Sequence, residues 1–120
     1  MIAILDTNAL LIPWHFRIDV LEELRGLGFV PATIEPVRRE LSVLMKRGSA
    51  GAGVALRLSE RCQVIETADG STVDDQIVNT ALKYKAAVVT NDKLLKRDLR
   101  EHSIRVVQLR NKKHLEVDMS

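Results

Sequence analysis

The sequence has little cysteine and no long hydrophobic run, and both absences limit what the protein can be. Cys62 is the only cysteine among the 120 residues, which excludes an internal disulfide and argues against a cysteine-based zinc site. It lies in the apolar stretch 62–65, where a small buried side chain is expected rather than a reactive thiol. No apolar run approaches the roughly 20 residues that span a bilayer, and no charged leader or cleavage site precedes the first apolar run. We therefore expect a cytoplasmic protein without membrane contact.

Internal repeats, linkers and low-complexity segments are also missing, which favours a single domain. Hydrophobic residues make up 46% of the chain and charged residues 28%, a balance typical of a folded globular protein rather than a disordered one. A chain of this length can bury a sizeable core. We expect one domain over residues 1–120, in which residues 110–120 form a basic C-terminal tail.

Positive charge is concentrated in one third of the chain, although the net charge is only +2. Residues 93–113 contain eight Lys and Arg against two acids, Asp98 and Glu101. Such a segment suits a polyanionic substrate, although a solvated helix face has the same composition. The residues that we expect to contact the polyanion are Lys93, Lys96, Arg97 and Arg100.

Hydrophobic patterns alternate between strand and helix along the whole sequence. Short apolar runs predict five strands at 2–5, 29–30, 62–65, 86–89 and 104–109, and Pro31 is expected to end the second of them. Segments of helix length with apolar residues at helical spacing separate these runs. This alternation predicts right-handed crossovers and an α/β fold, a three-layer α/β/α sandwich around a five-stranded parallel sheet.

Two acids follow strands directly at positions where such sheets bind ligands. Asp6 follows the first strand and Asp92 follows the fourth. In the strand order 3-2-1-4-5 these two strands are neighbours at the point where the order reverses, so we expect the two carboxylates to face each other. Either acid alone would also serve as the N-cap of the next helix.

Two further acids lie on the apolar stripes of predicted helices. Glu40 is three residues after Val37 and four before Leu44, and Asp74 is three residues before Ile77. A buried carboxylate without a partner is costly, so both positions indicate a shared site.

Asp75 competes with Asp74 for the role of ligand. Thr72 and Asp75 have the spacing of a capping box, but Ser71 and Asp74 have the same spacing. We assign Asp74 to the site and give Asp75 a supporting position outside it.

Together these segments resemble the PIN-domain ribonucleases. The resemblance covers Met1 to about Leu109 and is carried by Asp6-Thr-Asn-Ala-Leu10, a Glu inside an amphipathic helix, Asp74-Asp-Gln-Ile-Val-Asn-Thr-Ala-Leu82 and Val88-Val-Thr-Asn-Asp92. It implies that the four catalytic acids are Asp6, Glu40, Asp74 and Asp92, and that Asn8, Thr90 and Asn91 orient them. The later part of the chain, from Thr90-Asn-Asp-Lys-Leu-Leu-Lys-Arg97 into Ile104-Arg-Val-Val-Gln-Leu-Arg110, resembles the archaeal and eukaryotic rRNA-processing branch somewhat more than the VapC toxin branch.

An all-oxygen set of ligands favours Mg²⁺ or Mn²⁺ as the cofactor. Two such ions roughly 3.5–4 Å apart would hold a scissile phosphate, activate water and stabilise the leaving oxygen. We therefore predict an endoribonuclease that acts on RNA, as a homodimer, with an antitoxin or an RNA-processing partner possible in the cell. The three histidines lie outside the predicted site and are His15, His102 and His114.

Other functions fit the same acids less well. A haloacid-dehalogenase-type phosphatase needs a second Asp where this chain has Asn8, and a receiver domain usually needs an acidic pair after the first strand. Gly51 and Gly53 lack the third glycine of a dinucleotide fingerprint. An inactive RNA-binding or scaffold module of the same fold remains the main alternative. Trp14 and Phe16 could stack on a base, although packing is the more ordinary role of such side chains.

Overall fold

The computed structural model describes residues 1–118, in which six strands alternate with six helices. The strands are β1 (Ile2–Leu5), β2 (Val30–Thr33), β3 (Gln63–Val64), β4 (Ala87–Val89), β5 (Val106–Arg110) and β6 (His114–Val117). The helices are α1 (Thr7–Phe16), α2 (Val20–Gly26), α3 (Glu35–Lys46), α4 (Ala50–Ser59), α5 (Val73–Tyr84) and α6 (Lys93–Glu101). Within these residues no helix has the length and apolar character needed to cross a membrane.

The six strands form one sheet in the order β3-β2-β1-β4-β5-β6. Strands β1 to β5 are parallel, and β1 lies between β2 and β4 with Ile4 paired to both Ala32 and Val88. The α1 and α3 helices both pack against α4, whereas α5 packs against α6. The predicted three-layer α/β sandwich and the predicted order 3-2-1-4-5 are confirmed.

The sixth strand corrects the prediction of a C-terminal tail over residues 110–120. β6 runs antiparallel to β5, with Arg110 paired to His114 and Val107 to Val117. Residues 111–113 form the connecting turn, in which Asn111 and Lys112 have φ of 53° and 57°, the left-handed values that tight hairpin turns require. The segment was predicted as a tail because basic residues are concentrated around this turn. His114-Leu-Glu-Val117 nevertheless alternates polar and apolar residues, which is a strand pattern. Residues 119–120 lie outside the described residues.

Pro31 lies inside β2 and does not end it, which corrects a second prediction. The N–H of Val30 donates to the carbonyl of Met1 beside β1, so the nitrogen of Pro31 faces the opposite side. On that side β3 pairs only with Ala32 and Thr33. Because no strand lies beside Pro31 there, its missing N–H breaks no ladder hydrogen bond.

The hydrophobic core is centred on β1 and β4, which helices cover on both faces. Ile4, Leu5, Val88 and Val89 are completely buried, as expected of central parallel strands with continuous apolar sequence. Cys62 is buried as predicted, and burial raises the pKa of its thiol to about 11.

The α1 and α4 helices approach closely because α4 has a glycine at the contact. A Cβ atom placed on Gly51 would lie 2.6 Å from Cδ1 of Trp14. That separation is shorter than any real carbon contact, so a larger residue would displace the indole ring.

Polar contacts hold the hairpin of β5 and β6 together and join it to α2 and α6. The Leu115 N–H, at the free edge of the sheet, donates to Oε1 of Glu23 on α2 at 2.9 Å. Arg110 pairs with Glu116 at 3.3 Å, and Arg100 of α6 pairs with Asp118. These contacts satisfy an exposed strand edge of the kind that otherwise recruits other chains.

Candidate active site

Asp6, Glu40, Asp74 and Asp92 all line one small pocket of about 60 Å³ at the carboxyl ends of β1 and β4. Thr7, Asn8, Val73 and Ile77 complete its lining. The structure therefore brings the four predicted acids together, and it does so at the neighbouring pair of strands where the sheet order reverses. Each acid reaches the pocket from a different element.

Asp6 is the most enclosed of the four acids, with 6% of its surface exposed. It follows β1 and caps α1, because its Oδ1 accepts a hydrogen bond from the Ala9 N–H at 2.7 Å. Burial raises the pKa of its carboxyl from the ordinary 3.8 to about 6. Hydrogen bonds from Thr90 and Ala9 oppose that rise, and the charges of Asp74 and Asp92 add to it.

Asp92 caps α6 in the same way, with Oδ1 accepting from the Leu95 N–H at 2.8 Å. Its own N–H donates to Oγ1 of Thr90 at 3.1 Å, and the Thr90 hydroxyl also hydrogen-bonds the Asp6 carboxylate. Thr90 therefore links the two strand-end acids, which is the position predicted for an orienting residue. Capping and pocket lining coexist in both acids, since each cap uses only one carboxylate oxygen.

Glu40 is exposed, which corrects the expectation that its carboxylate would be buried on the apolar stripe of α3. That stripe is not fully covered at this height of the helix, and Val43 is itself 46% exposed. The Thr7 hydroxyl donates a hydrogen bond to Oε1 of Glu40, across from α1 to α3. Thr7 was not among the predicted site residues. A hydroxyl residue directly after the first acid is the sequence signal for a hydrogen bond of this kind to a second acid.

Asp74 is exposed in the first turn of α5 and faces the other acids. Its carboxyl is nevertheless partly removed from water, and this partial burial is the largest cause that raises its pKa. The negative charges of Asp92, Glu40, Asp75 and Asp98 raise the pKa further. Several negative charges thus surround one carboxyl, and a bound cation would relieve their mutual repulsion.

Thr72 settles the helix register that the sequence left open. It is the N-cap of α5, and its Oγ1 accepts from the Asp75 N–H at 3.1 Å. Asp75 thus occupies the third helical position of the capping box, while Asp74 lines the pocket.

The two predicted supporting asparagines have different positions. Asn8 lines the acidic pocket, and its orienting role stays a prediction. The Asn91 side chain instead pairs with the backbone of Leu109, donating to its carbonyl at 3.1 Å and accepting from its N–H at 2.7 Å. The prediction that Asn91 orients an acid is therefore corrected, because both ends of its amide hold β5.

The predicted RNA-binding residues on α6 divide into two pairs. Lys93 and Arg97 are exposed. Lys96 donates to Oε1 of Gln108 at 2.9 Å, and Arg100 is engaged by Asp118. Arg100 also lies eight residues beyond Asp92, about 12 Å along the helix from the pocket. The contact of Lys96 and Arg100 with substrate stays a prediction, because one hydrogen bond to Gln108 and one ion pair to Asp118 do not use all the N–H groups of these side chains.

Two cations that the sequence analysis missed lie beside the pocket. Arg39 and Arg47 line an open groove of about 450 Å³ between α3 and α5, which we call the α3–α5 groove. The groove shares Glu40 and Val73 with the acidic pocket. Arg39 and Arg47 are eight residues apart, about two helical turns, which puts them on similar faces of the helix. That spacing is a sequence signal for a second basic surface.

The donor set fits a hard divalent cation in its chemistry. All four acids offer oxygen ligands, and none of them has a Lys or Arg ion-pair partner among the residues described. Within residues 1–118, however, no three acids, histidines or cysteines are close enough to form a ready-made cage. Binding of a metal ion would therefore draw the carboxylates closer together.

Comparison with known proteins gives a consistent result over the whole chain. Residues 3–112 match the protein family described as PIN like domain. Ribonuclease VapC9 of Archaeoglobus fulgidus is 36% identical over 122 aligned positions, which cover 98% of this chain and 89% of that protein. Ribonuclease VapC4 of Methanocaldococcus jannaschii is 29% identical over 121 positions, covering 93% and 92%. The structure of the PIN domain endonuclease Utp24 superposes with a TM-score of 0.82 at 29% identity, covering 98% of this chain and 91% of that one.

Proposed function

Because this chain belongs to the PIN-like domain family, we propose that it is an endoribonuclease that hydrolyses RNA phosphodiester bonds with Mg²⁺ or Mn²⁺. The observation that carries the proposal is the meeting of Asp6, Glu40, Asp74 and Asp92 around one pocket, without paired cations. The names of the relatives support it, since two are ribonucleases and one is an endonuclease. The nearly complete coverage of those proteins indicates that the comparison concerns a whole domain.

The four acids would hold the metal with different degrees of rigidity. Asp6 and Asp92 are fixed by their caps and by Thr90, so they provide an anchored pair at the sheet edge. Glu40 is positioned through Thr7, and Asp74 closes the pocket from α5. A bound divalent cation would activate water as the nucleophile and neutralise charge that develops on the phosphate.

The substrate backbone would be bound by cations outside the acidic pocket. Arg39 and Arg47 lie in the α3–α5 groove next to Glu40, and Lys93 and Arg97 are exposed on α6 next to Asp92. Contacts of this kind to phosphates supply most of the affinity of nucleic-acid binding without reading sequence. RNA bound across the two helices would therefore place a phosphate over the acids.

The cellular role is either RNA processing or action as a toxin that an antitoxin controls. The sequence pattern placed the rRNA-processing branch first, whereas both sequence relatives carry the VapC name and favour the toxin branch. We expect a homodimer in either role, because one small domain offers little surface for RNA. A short antitoxin-like reading frame directly upstream in the genome would decide for the toxin.

The test of the proposed reaction is cleavage of single-stranded RNA with Mg²⁺ or Mn²⁺, followed by exhaustive removal of metal. Cleavage should stop in chelator and return when either ion is restored. Asp92→Asn, purified in parallel, keeps a helix cap and controls for contaminating nucleases. Undiminished cleavage without metal would refute the mechanism. Binding of RNA without any cleavage would favour an inactive RNA-binding module of the same fold.

A further inference from the structure

A second groove adjoins the acidic pocket and shares no lining residue with the α3–α5 groove. It encloses about 470 Å³ between α1 and the turn of the β5–β6 hairpin, and we call it the α1–hairpin groove. Its lining residues are Asn8, Ala9, Ile12, His15, Phe16, Asn91, Leu109, Asn111 and Lys112. Asn8 belongs to this groove and to the acidic pocket at once, so the two cavities are adjacent.

We propose that the α1–hairpin groove binds one nucleobase of the RNA, in a nucleotide to one side of the phosphate that is cut. The proposal rests on the proposed function, and it adds a specificity site to it. Phe16 would stack on the base and Lys112 would contact the neighbouring phosphate.

The shape and side chains of the groove match a flat aromatic ligand. Phe16 is 37% exposed, and His15 lies beside it with ring centroids 6.1 Å apart and planes inclined by 64°. An exposed aromatic face next to an electrostatic site is the usual stacking platform for single-stranded nucleic acid. A volume of about 470 Å³ accommodates a base with its ribose and lies within the ordinary range of small-ligand sites.

The polar groups of the groove lie where they would meet the edges of a base. Asn8 is at the first turn of α1, and Asn111 is held in the hairpin turn with φ of 53°. Side-chain amides of this kind recognise the donor and acceptor pattern of single-stranded bases. Asn91 cannot take part, because both ends of its amide bind Leu109, but that pairing fixes one wall of the groove.

The contrast with the α3–α5 groove assigns each cavity its part of the nucleotide. That groove contains Arg39 and Arg47 but no aromatic ring among its lining residues, which suits phosphates. The α1–hairpin groove contains two rings, two available amides and a single lysine, which suits a base. Both grooves share lining residues with the acidic pocket, so a strand with one phosphate over the acids would have a groove of each kind within reach.

The experiment measures binding in chelator, so that it does not depend on cleavage. Single-stranded oligonucleotides in which each nucleotide in turn is abasic are titrated against the parent protein. One abasic position, at a fixed number of nucleotides from the cut mapped in parallel with Mg²⁺ or Mn²⁺, should weaken binding by about 5- to 150-fold. In Phe16→Ala, the same abasic position should no longer weaken binding relative to the intact oligonucleotide. In Phe16→Trp, which keeps an aromatic face, the abasic position should still weaken it.

Two controls separate the loss of stacking from a loss of structure. Phe16→Leu keeps apolar packing at the end of α1 without a ring, and it should behave as Phe16→Ala does. Leu94→Ala removes an apolar side chain that is 68% exposed on α6, outside the groove, and should leave the abasic profile unchanged. Thermal melting of each variant confirms that it is folded.

Several results would overturn the inference. An abasic profile that Phe16→Ala does not alter would show that the groove binds no base. An effect of Phe16→Ala only on self-association, or only on binding of a protein partner, would assign the groove to that partner instead. A parent protein that shows the profile but never cleaves RNA would refute the proposed function while leaving the groove intact.

Discussion

The acids of the β5–β6 hairpin region and those of the acidic pocket differ in their electrostatic surroundings. Around the hairpin, Glu23 accepts from the Leu115 N–H, Glu116 pairs with Arg110, and Asp118 pairs with Arg100. In the pocket, Asp6 and Asp74 instead have raised pKa values, to which burial and neighbouring acids contribute. The hairpin therefore uses its acids to hold the fold together, whereas the pocket keeps acids that the metal-free fold would be more stable without.

The largest expected effect of this difference is on catalysis. Asp92→Asn or Glu40→Gln should reduce turnover at saturating RNA by more than about 100-fold, since loss of a mere partner of a metal ligand already costs 10- to 100-fold. RNA binding in chelator should persist, because phosphate contacts elsewhere supply it. Single-turnover cleavage and fluorescence anisotropy measure the two quantities separately.

The matched control for that loss is Glu116→Gln, which neutralises an acid of the hairpin. Turnover should change by no more than roughly twofold, as for an ordinary surface substitution. A loss equal to that of Glu40→Gln would show that the pocket acids have no special role.

The next largest effect is on stability, and it concerns Asp6. Its folded pKa of about 6 exceeds the ordinary 3.8, so the folded protein holds this proton more tightly than the unfolded chain. The contribution of Asp6 to the free energy of unfolding is therefore greatest below pH 3.8, falls as pH rises to about 6, and stays low above it. The shift corresponds to about 3 kcal/mol.

Asp6→Asn keeps a capping oxygen but cannot ionise, so it tests that stability effect directly. Without metal it should be more stable than the parent above pH 6 by up to about 3 kcal/mol, and the gain should vanish at low pH. Denaturant unfolding in chelator across this range measures the difference. Asp6→Ala, which also loses the cap, should forfeit about 1 kcal/mol of the gain. A large destabilisation by Asp6→Asn would assign this acid a purely structural role.

A smaller effect should distinguish free cations from paired ones in RNA binding. Replacing Arg39 and Arg47 together by Ala should weaken binding and reduce the slope of log affinity against log salt by about 1.4, or 0.7 for each phosphate contact on a single strand. Arg100→Ala should leave the slope unchanged, because Asp118 already occupies that guanidinium. Equal slopes for all three proteins would remove the α3–α5 groove from the RNA path.

The smallest effect belongs to the edge of the hairpin. Glu23→Ala removes the acceptor of the Leu115 N–H and should destabilise the protein by about 1 kcal/mol. Glu23→Gln keeps an acceptor oxygen and should lose less. This order is the reverse of that expected for Asp6, where neutralisation stabilises. Thermal unfolding of both variants measures these losses. If neither variant lost stability, the hairpin and the pocket would not differ in the way described.

The fold was predictable where local pattern and tertiary position agree. β1 and β4 are continuous apolar runs because helices cover both their faces, and their neighbouring positions follow from the right-handed crossovers. β6 was missed because its alternation is short and follows a basic turn. Pro31 was misjudged because its missing N–H matters only if a strand lies beside it, and the short length of β3 cannot be read from the sequence.

The site was predictable in its acids and less so in their surroundings. Four acids placed at strand ends and on helices converge as the topology requires, and the predicted membership of the PIN-domain family is confirmed. The contact of Thr7 with Glu40 and the pairing of Asn91 with Leu109 depend on side-chain direction across distant segments. Which cations remain free for RNA depends on Asp118 and Gln108, which lie far from them in the chain.

Trp14 gives this molecule an optical signal of its own. It is the only indole in the chain, and it rests half exposed against Gly51, where α1 meets α4. Its emission depends on the polarity around the ring, so a separation of these two helices would shift the spectrum without any label. The helix that carries it begins at the Asp6 cap and ends at Phe16. If metal binds at one end of this helix and a base at the other, as proposed, the same intrinsic fluorescence would report both events in protein that has not been modified.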